Sequence, residues 1–157
     1  MSVINDIIDF TRDTCNIPTL YHNIGGLNVL LDEVDNANFK DQPFALMTIP
    51  EEGNLSINNR ECYEEYLLNV SFCVNGVGVD FDAEQVEKVY ISKLKEMAFV
   101  WVAMILKYFQ GSIHIEPTRC GREFLKLDAI LVGFSVTLRI REVVNFSNCD
   151  ITNKQID

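Results

Sequence analysis

The chain has 157 residues, 48% of them hydrophobic and 10% aromatic, with 23 acidic against 13 basic side chains and a net charge of −10. A chain of that length buries roughly 70% of its unfolded surface in one domain without a disulfide or metal staple, and the composition excludes disorder and low-complexity architectures. The acidity argues against specific nucleic-acid binding and against docking on an anionic membrane, since both rest on Lys and Arg.

Ser2 to about Cys15 predicts a short helix, with Ile4, Ile7, Ile8, Phe10 and Thr11 near helical spacing and Asp6, Asp9 and Asp13 between them. Asn16-Ile17-Pro18 stops it, because the residue before a proline is pushed out of the helical region. Leu20–Asn23 predicts a short strand, Gly25-Gly26 a turn, Asn28–Val34 a second strand and Phe44–Ile49 a third, closed by Pro50. Residues 50–62, rich in Glu, Asn and Gly, are expected to form a long polar loop carrying Glu51, Glu52, Asn54, Asn58 and Asn59.

Glu65–Asn75 alternates with period two: Tyr66, Leu68, Val70, Phe72 and Val74 point to one face and the residues between them to the other. Asp82-Ala83-Glu84-Gln85 is a helix start, with Asp82 as N-cap and Gln85 at the capping-box position. The helix should run to about Gln110 and stop at Gly111. Its second half, Met97 to Leu106, is apolar all round but too short for a bilayer, so it must be covered on every side. The sheet supplies one cover; the N-terminal helix or a neighbouring chain must supply the other.

Glu116–Arg119 predicts a shorter strand, Cys120-Gly121-Arg122 a turn, and Asp128–Val143 one long alternating strand paired with 65–75. At about 3.3 Å per residue that strand outruns a compact domain, so it must bend near Gly133 or project and offer unpaired backbone to another subunit. A tail follows from about residue 145. The expected fold is a single α+β domain, mainly antiparallel sheet, with a short N-terminal helix and one long helix packed on it.

No catalytic, cofactor or metal constellation assembles from the sequence. The cysteines Cys15, Cys62, Cys73, Cys120 and Cys149 form no CxxC pair, and His22 and His114 sit beside no nucleophile pattern. Reduced thiols in an intracellularly made protein are expected, and residues 1–13 lack the basic region of a signal peptide. Asn75-Gly76-Val77-Gly78 lacks the lysine and third glycine of a phosphate loop, and Asp82 of Asp80-Phe81-Asp82 is better spent as a cap than on a metal. An enzyme is therefore not expected.

Charge divides along the chain: residues 1–87 hold 16 acids and 3 bases, residues 88–157 hold 7 acids and 10 bases. A solvated acidic face explains this, and so does a head-to-tail assembly of opposite-signed faces. On the second reading Arg119, Arg122, Arg139 and Arg141 of one copy dock against Asp32, Glu33 and Asp35 or Glu61, Glu64 and Glu65 of the next. Reversing Arg139 and Arg141 to Glu should then abolish assembly.

The order of elements is a short helix at Ile4–Cys15, strands, a polar segment at 50–62, the Glu65–Asn75 strand, a long helix at Ala83–Gln110 and the long Asp128–Val143 strand. In order and size it resembles the tail terminator and related neck or head–tail connector proteins of tailed bacteriophages. The resemblance implies a structural virion subunit, assembled in the host bacterial cytoplasm, that uses no cofactor and closes into a ring. That ring would contact neighbouring neck and tail proteins, with the 50–62 loop toward its centre and DNA passing through without specific binding. The alternative is a cytoplasmic, non-viral binding or scaffold subunit holding a partner or a small apolar ligand between sheet and helix, near Met97, Trp101 and Phe134.

Overall fold

A computed structural model describes residues 3–22, 42–48, 53–58, 61–77, 82–111, 113–126 and 130–144. Helix α1 (Val3–Asp9) continues as a π turn over Phe10–Thr14. The wider turn keeps Phe10 and Thr11 buried together with Ile7 and Ile8. Asn16 then takes the left-handed conformation (φ 55°) that ends a helix and that asparagine tolerates, just ahead of Pro18.

Strands β1 (Thr19–His22) and β2 (Phe44–Thr48) pair in parallel. Strand β4 (Glu61–Val77) pairs antiparallel with β2, with β3 (Gly53–Asn58) and with β6 (Ile130–Val144), and β5 (His114–Lys126) pairs antiparallel with β6. The order across the sheet is β1-β2-β4-β6-β5, with β3 paired to β4 off this path. The chain is thus an α+β domain with a mainly antiparallel sheet.

The long helix starts as expected. Asp82 Oδ1 accepts a hydrogen bond from the Gln85 amide at 2.8 Å, capping α2 (Ala83–Val86), which passes through a π turn at Glu87–Ile91 into α3 (Ser92–Tyr108). Gly111 lies at φ +82°, a conformation L side chains rarely adopt, although a Cβ there would meet no atom within 4 Å. Conformation rather than space selects glycine at this stop.

Ile91, Leu94, Ala98, Trp101 and Ile105 face the sheet at alternating spacings of three and four. They pack on the face made by Tyr66, Leu68, Val70 and Phe72 of β4 and Val132, Phe134, Val136, Leu138 and Ile140 of β6. The alternation expected for both strands therefore holds, and α1 adds Ile7, Ile8 and Phe10 to the same core. A second, smaller cluster of Phe44, Leu46, Cys73 and Leu131 is also buried.

Three expectations are corrected. The polar stretch 50–62 carries strand β3, whose Leu55 and Ile57 are 70% and 76% exposed. Its stability comes from main-chain pairing with β4 rather than from burial, so composition concealed it. Asn54 and Asn58 thus lie on a strand; Glu51, Glu52 and Asn59 lie outside the described residues.

The turn expected at Cys120-Gly121-Arg122 is mid-strand: β5 runs straight through, with Gly121 opposite Ser135. The glycine there reflects a strand interior, and the irregularity falls instead at Pro117/Arg119.

The long strand does not offer a free edge either. β6 is paired with β4 from Ile130 to Val144 and with β5 from Ile130 to Arg141, because those strands have 17 and 13 residues of their own. The expected strand at Asn28–Val34, with its preceding turn, and the tail from about 145 lie outside the described residues.

Candidate functional site

Antiparallel register places Glu65 of β4 opposite Arg141 of β6, and Arg139 of β6 opposite Glu116 of β5. Directly opposed residues share a face, so these charges meet within one chain. Arg141 donates to Glu65 Oε2 from Nη2 at 2.8 Å and from Nε at 3.1 Å, and its guanidinium lies 5.7 Å from the centre of the Tyr63 ring. Arg139 lies between Glu65, at 3.7 Å, and Glu116, at 3.4 Å.

The hydrogen bond from Arg141 holds the Glu65 carboxyl below its ordinary value against an opposing desolvation cost, and the charges of Arg141, Arg139 and His114 add to the lowering. On the helix side of the sheet, Arg122 of β5 forks onto Glu87 of the π turn through contacts of 2.6, 2.9 and 3.0 Å. That hydrogen bonding lowers Glu87 and raises Arg122.

Three of the four arginines expected to reach a neighbouring copy, Arg122, Arg139 and Arg141, are thus engaged at home. Glu65, expected as an acceptor in the next copy, is the in-chain partner of Arg139 and Arg141. Arg119 is exposed on β5, and Glu64 is exposed opposite Glu142 on β6. Glu61 opens β4, whereas Asp32, Glu33 and Asp35 lie outside the described residues.

Between sheet and helix, the space proposed for a ligand is filled by side chains. Trp101 and Phe134 are buried; Trp101 packs edge-on against Phe72 at 5.4 Å and donates from Nε1 to Thr11 Oγ1 at 3.0 Å. A cavity of about 430 Å³ lies instead between the end of the N-terminal helix and α3, walled by Cys15, Ile17, Met97, Val100, Trp101 and Met104. Met97 and Trp101 line this groove; Phe134 does not.

The N-terminal helix covers one flank of α3, with Phe10 against Tyr108 at 4.3 Å and against Phe109 at 6.2 Å. It leaves the outward stripe open: Phe99 is 46% and Val100 54% exposed, and Ala103, Met104 and Leu106 are exposed beside them. These residues were hidden from sequence reading by the all-round apolarity of the helix. The inward series at 91, 94, 98, 101 and 105 is the signal that assigns them outward, by elimination.

Among the described residues, no group of three or more His, Cys, Asp and Glu could hold a metal ion. None of the described helices is long and apolar enough to cross a membrane. Of the described cysteines, Cys62 and Cys73 are buried, Cys15 is half-buried and Cys120 is exposed, all as free thiols. Burial, with the charge of Glu123 adding to it, pushes the Cys73 thiol up. The chain matches no protein-family model, and no curated protein matches it in sequence.

Proposed function

We propose that this chain is a structural subunit of a tailed bacteriophage virion, a ring-forming protein of the neck or tail end that joins head or connector to tail. The observation that carries the proposal is the outward stripe of α3, Phe99, Val100, Ala103, Met104 and Leu106, left open on the Met97–Leu106 stretch that is apolar all round. A contiguous apolar surface of this kind marks a contact with another protein. The order of elements behind the phage resemblance supports it as well: short N-terminal helix, strands, one long helix and the long paired strands. The role requires assembly and contact with neck and tail neighbours, and no cofactor.

Negative-stain electron microscopy of the purified chain over a concentration series tests the proposal. Annular particles of uniform diameter are expected. Small compact particles at every concentration, together with absence of the chain from purified virions, would remove it.

One observation favours the second reading, a cytoplasmic subunit with a small apolar ligand: the groove of about 430 Å³ walled by Cys15, Ile17, Met97 and Met104. On that reading an apolar fluorescent probe binds the groove, and Met104→Lys abolishes the binding.

A further inference from the structure

A second surface lies beside the stripe. Where the π turn of the N-terminal helix meets the end of α3, Phe10, Tyr108, Phe109 and Ile113 wall a cavity of about 570 Å³. Tyr108 is 62% exposed there, 4.9 Å from Phe109 ring to ring. Asp6, Asp9 and Asp13 form the rim.

Among the described residues none of the three aspartates takes part in an ion pair. Arg12, the base of that helix, is turned to the Thr19 carbonyl, to which it donates from Nη2 at 2.8 Å and from Nε at 3.2 Å.

The stripe of α3 carries the opposite net sign: the exposed bases Lys93, Lys95 and Lys107 flank it against one exposed acid, Glu96. Lys95 Nζ lies 5.7 Å from the centre of the Phe99 ring, one turn along, and Lys107 is exposed at the other end. Neither lysine forms an ion pair among the described residues. One surface is thus aromatic, apolar and acidic, the other aromatic, apolar and basic on balance, and every copy carries both.

We infer that the lysine-flanked stripe of α3 docks in the acid-rimmed aromatic groove of a second copy of this chain, head to tail. The apolar residues supply the buried area, and the unpaired charges on each side fix the partner and the register. The two surfaces differ, so the contact is heterologous and propagates from copy to copy until the rotation closes a ring. The inference rests on the ring-forming reading and names the contact that would build it.

The test is a charge swap read by sedimentation velocity and negative stain on the full chain. Asp9, Asp13, Lys95 and Lys107 are all exposed, so the variants D9K/D13K and K95E/K107E should fold normally, as circular dichroism will report. Each variant alone is expected to lose the annular particle and sediment as a monomer. Mixed in equal amounts, the two present matched signs at both contacts and are expected to restore the ring as alternating copies. Restoration also shows that neither variant failed through misfolding.

If either variant assembles like the unaltered chain, or if mixing restores nothing, the inferred contact is wrong and the ring reading stands on another interface. If mixing restores only a closed pair, and the unaltered chain is also a pair, the contact stands and the ring reading falls. An unaltered chain that is monomeric at every concentration removes the inferred contact, and removes the ring reading as well only if the chain is also absent from purified virions.

Discussion

Ser71 on β4 donates a hydrogen bond of 2.7 Å from Oγ to Glu123 Oε2 on β5, across the intervening strand β6. The carboxylate crosses a strand that carries glycine at the crossing: Glu123 and Cys73 both lie in register with Gly133. A Cβ on Gly133 would stand 3.0 Å from Cys73 Sγ, 3.4 Å from the Phe72 carbonyl oxygen and 3.7 Å from Glu123 Cβ. The missing side chain lets the buried thiol and the bridging carboxylate share one short stretch of sheet.

Gly133→Ala should therefore destabilise the fold by about 1–3 kcal/mol, the usual range for forcing an extra methyl into a packed interior. Cys73→Ala in the same chain should recover much of that loss, because it removes the nearest atom. Urea unfolding midpoints of the single and double variants check it. A Gly133→Ala chain as stable as the parent would show that the strands move apart at little cost.

Thr11 holds the N-terminal helix to the long one through two bonds at one buried hydroxyl, donating to the Ile7 carbonyl at 2.7 Å and accepting from Trp101 Nε1 at 3.0 Å. Thr11→Val keeps the shape but strands the indole N–H, at a cost of about 1–3 kcal/mol. Thr11→Ser keeps the acceptor and should lose less. Thermal melts that rank the parent above Ser above Val support this reading, and equal losses for both variants overturn it.

The Glu65 carboxyl is depressed in the folded chain, chiefly by its hydrogen bond from Arg141. A depressed carboxylate contributes stability that is present above its unfolded pKa and lost as pH falls through the folded value. The contribution of the pair should be intact at neutral pH and fade below the unfolded carboxylate range, about pH 4.3. Arg141→Gln should lower the unfolding midpoint modestly at pH 7 and leave it nearly unchanged at the acid end. Since the groups are solvent-facing, added salt should shrink the neutral-pH difference as well. A difference independent of pH would assign Arg141 a packing role against Tyr63 instead.

How much of this was open to sequence reading varies by element. The Asp82 cap, the Gly111 stop and the alternation of Tyr66 to Val74 were visible because each depends on local chemistry: one side-chain acceptor, one positive φ, one period of two. Strand β3 was not, since Leu55 and Ile57 bury little and the strand rests on backbone pairing that polar composition does not report. The Gly121 turn failed for the opposite reason, a local punctuation mark overridden by the long ladder to β6. For the candidate site, the sequence marked the arginines, but only register shows that Glu65 and Glu116 stand opposite them in the same chain.

That register changes what the arginine reversals should do. Arg139→Glu with Arg141→Glu puts four carboxylates where two ion-paired glutamates now stand, so its first effect should be a lowered unfolding midpoint. The stripe of α3 behaves differently. Val100 faces outward and is more than half exposed, so Val100→Asp should fold with nearly the parent's stability while removing apolar area from the contact. Sedimentation velocity beside a urea titration separates the two. The expected result is an intact fold without assembly for Val100→Asp, and a weakened fold that still assembles for the arginine pair. The reverse pattern would return the interface to the open face of the sheet.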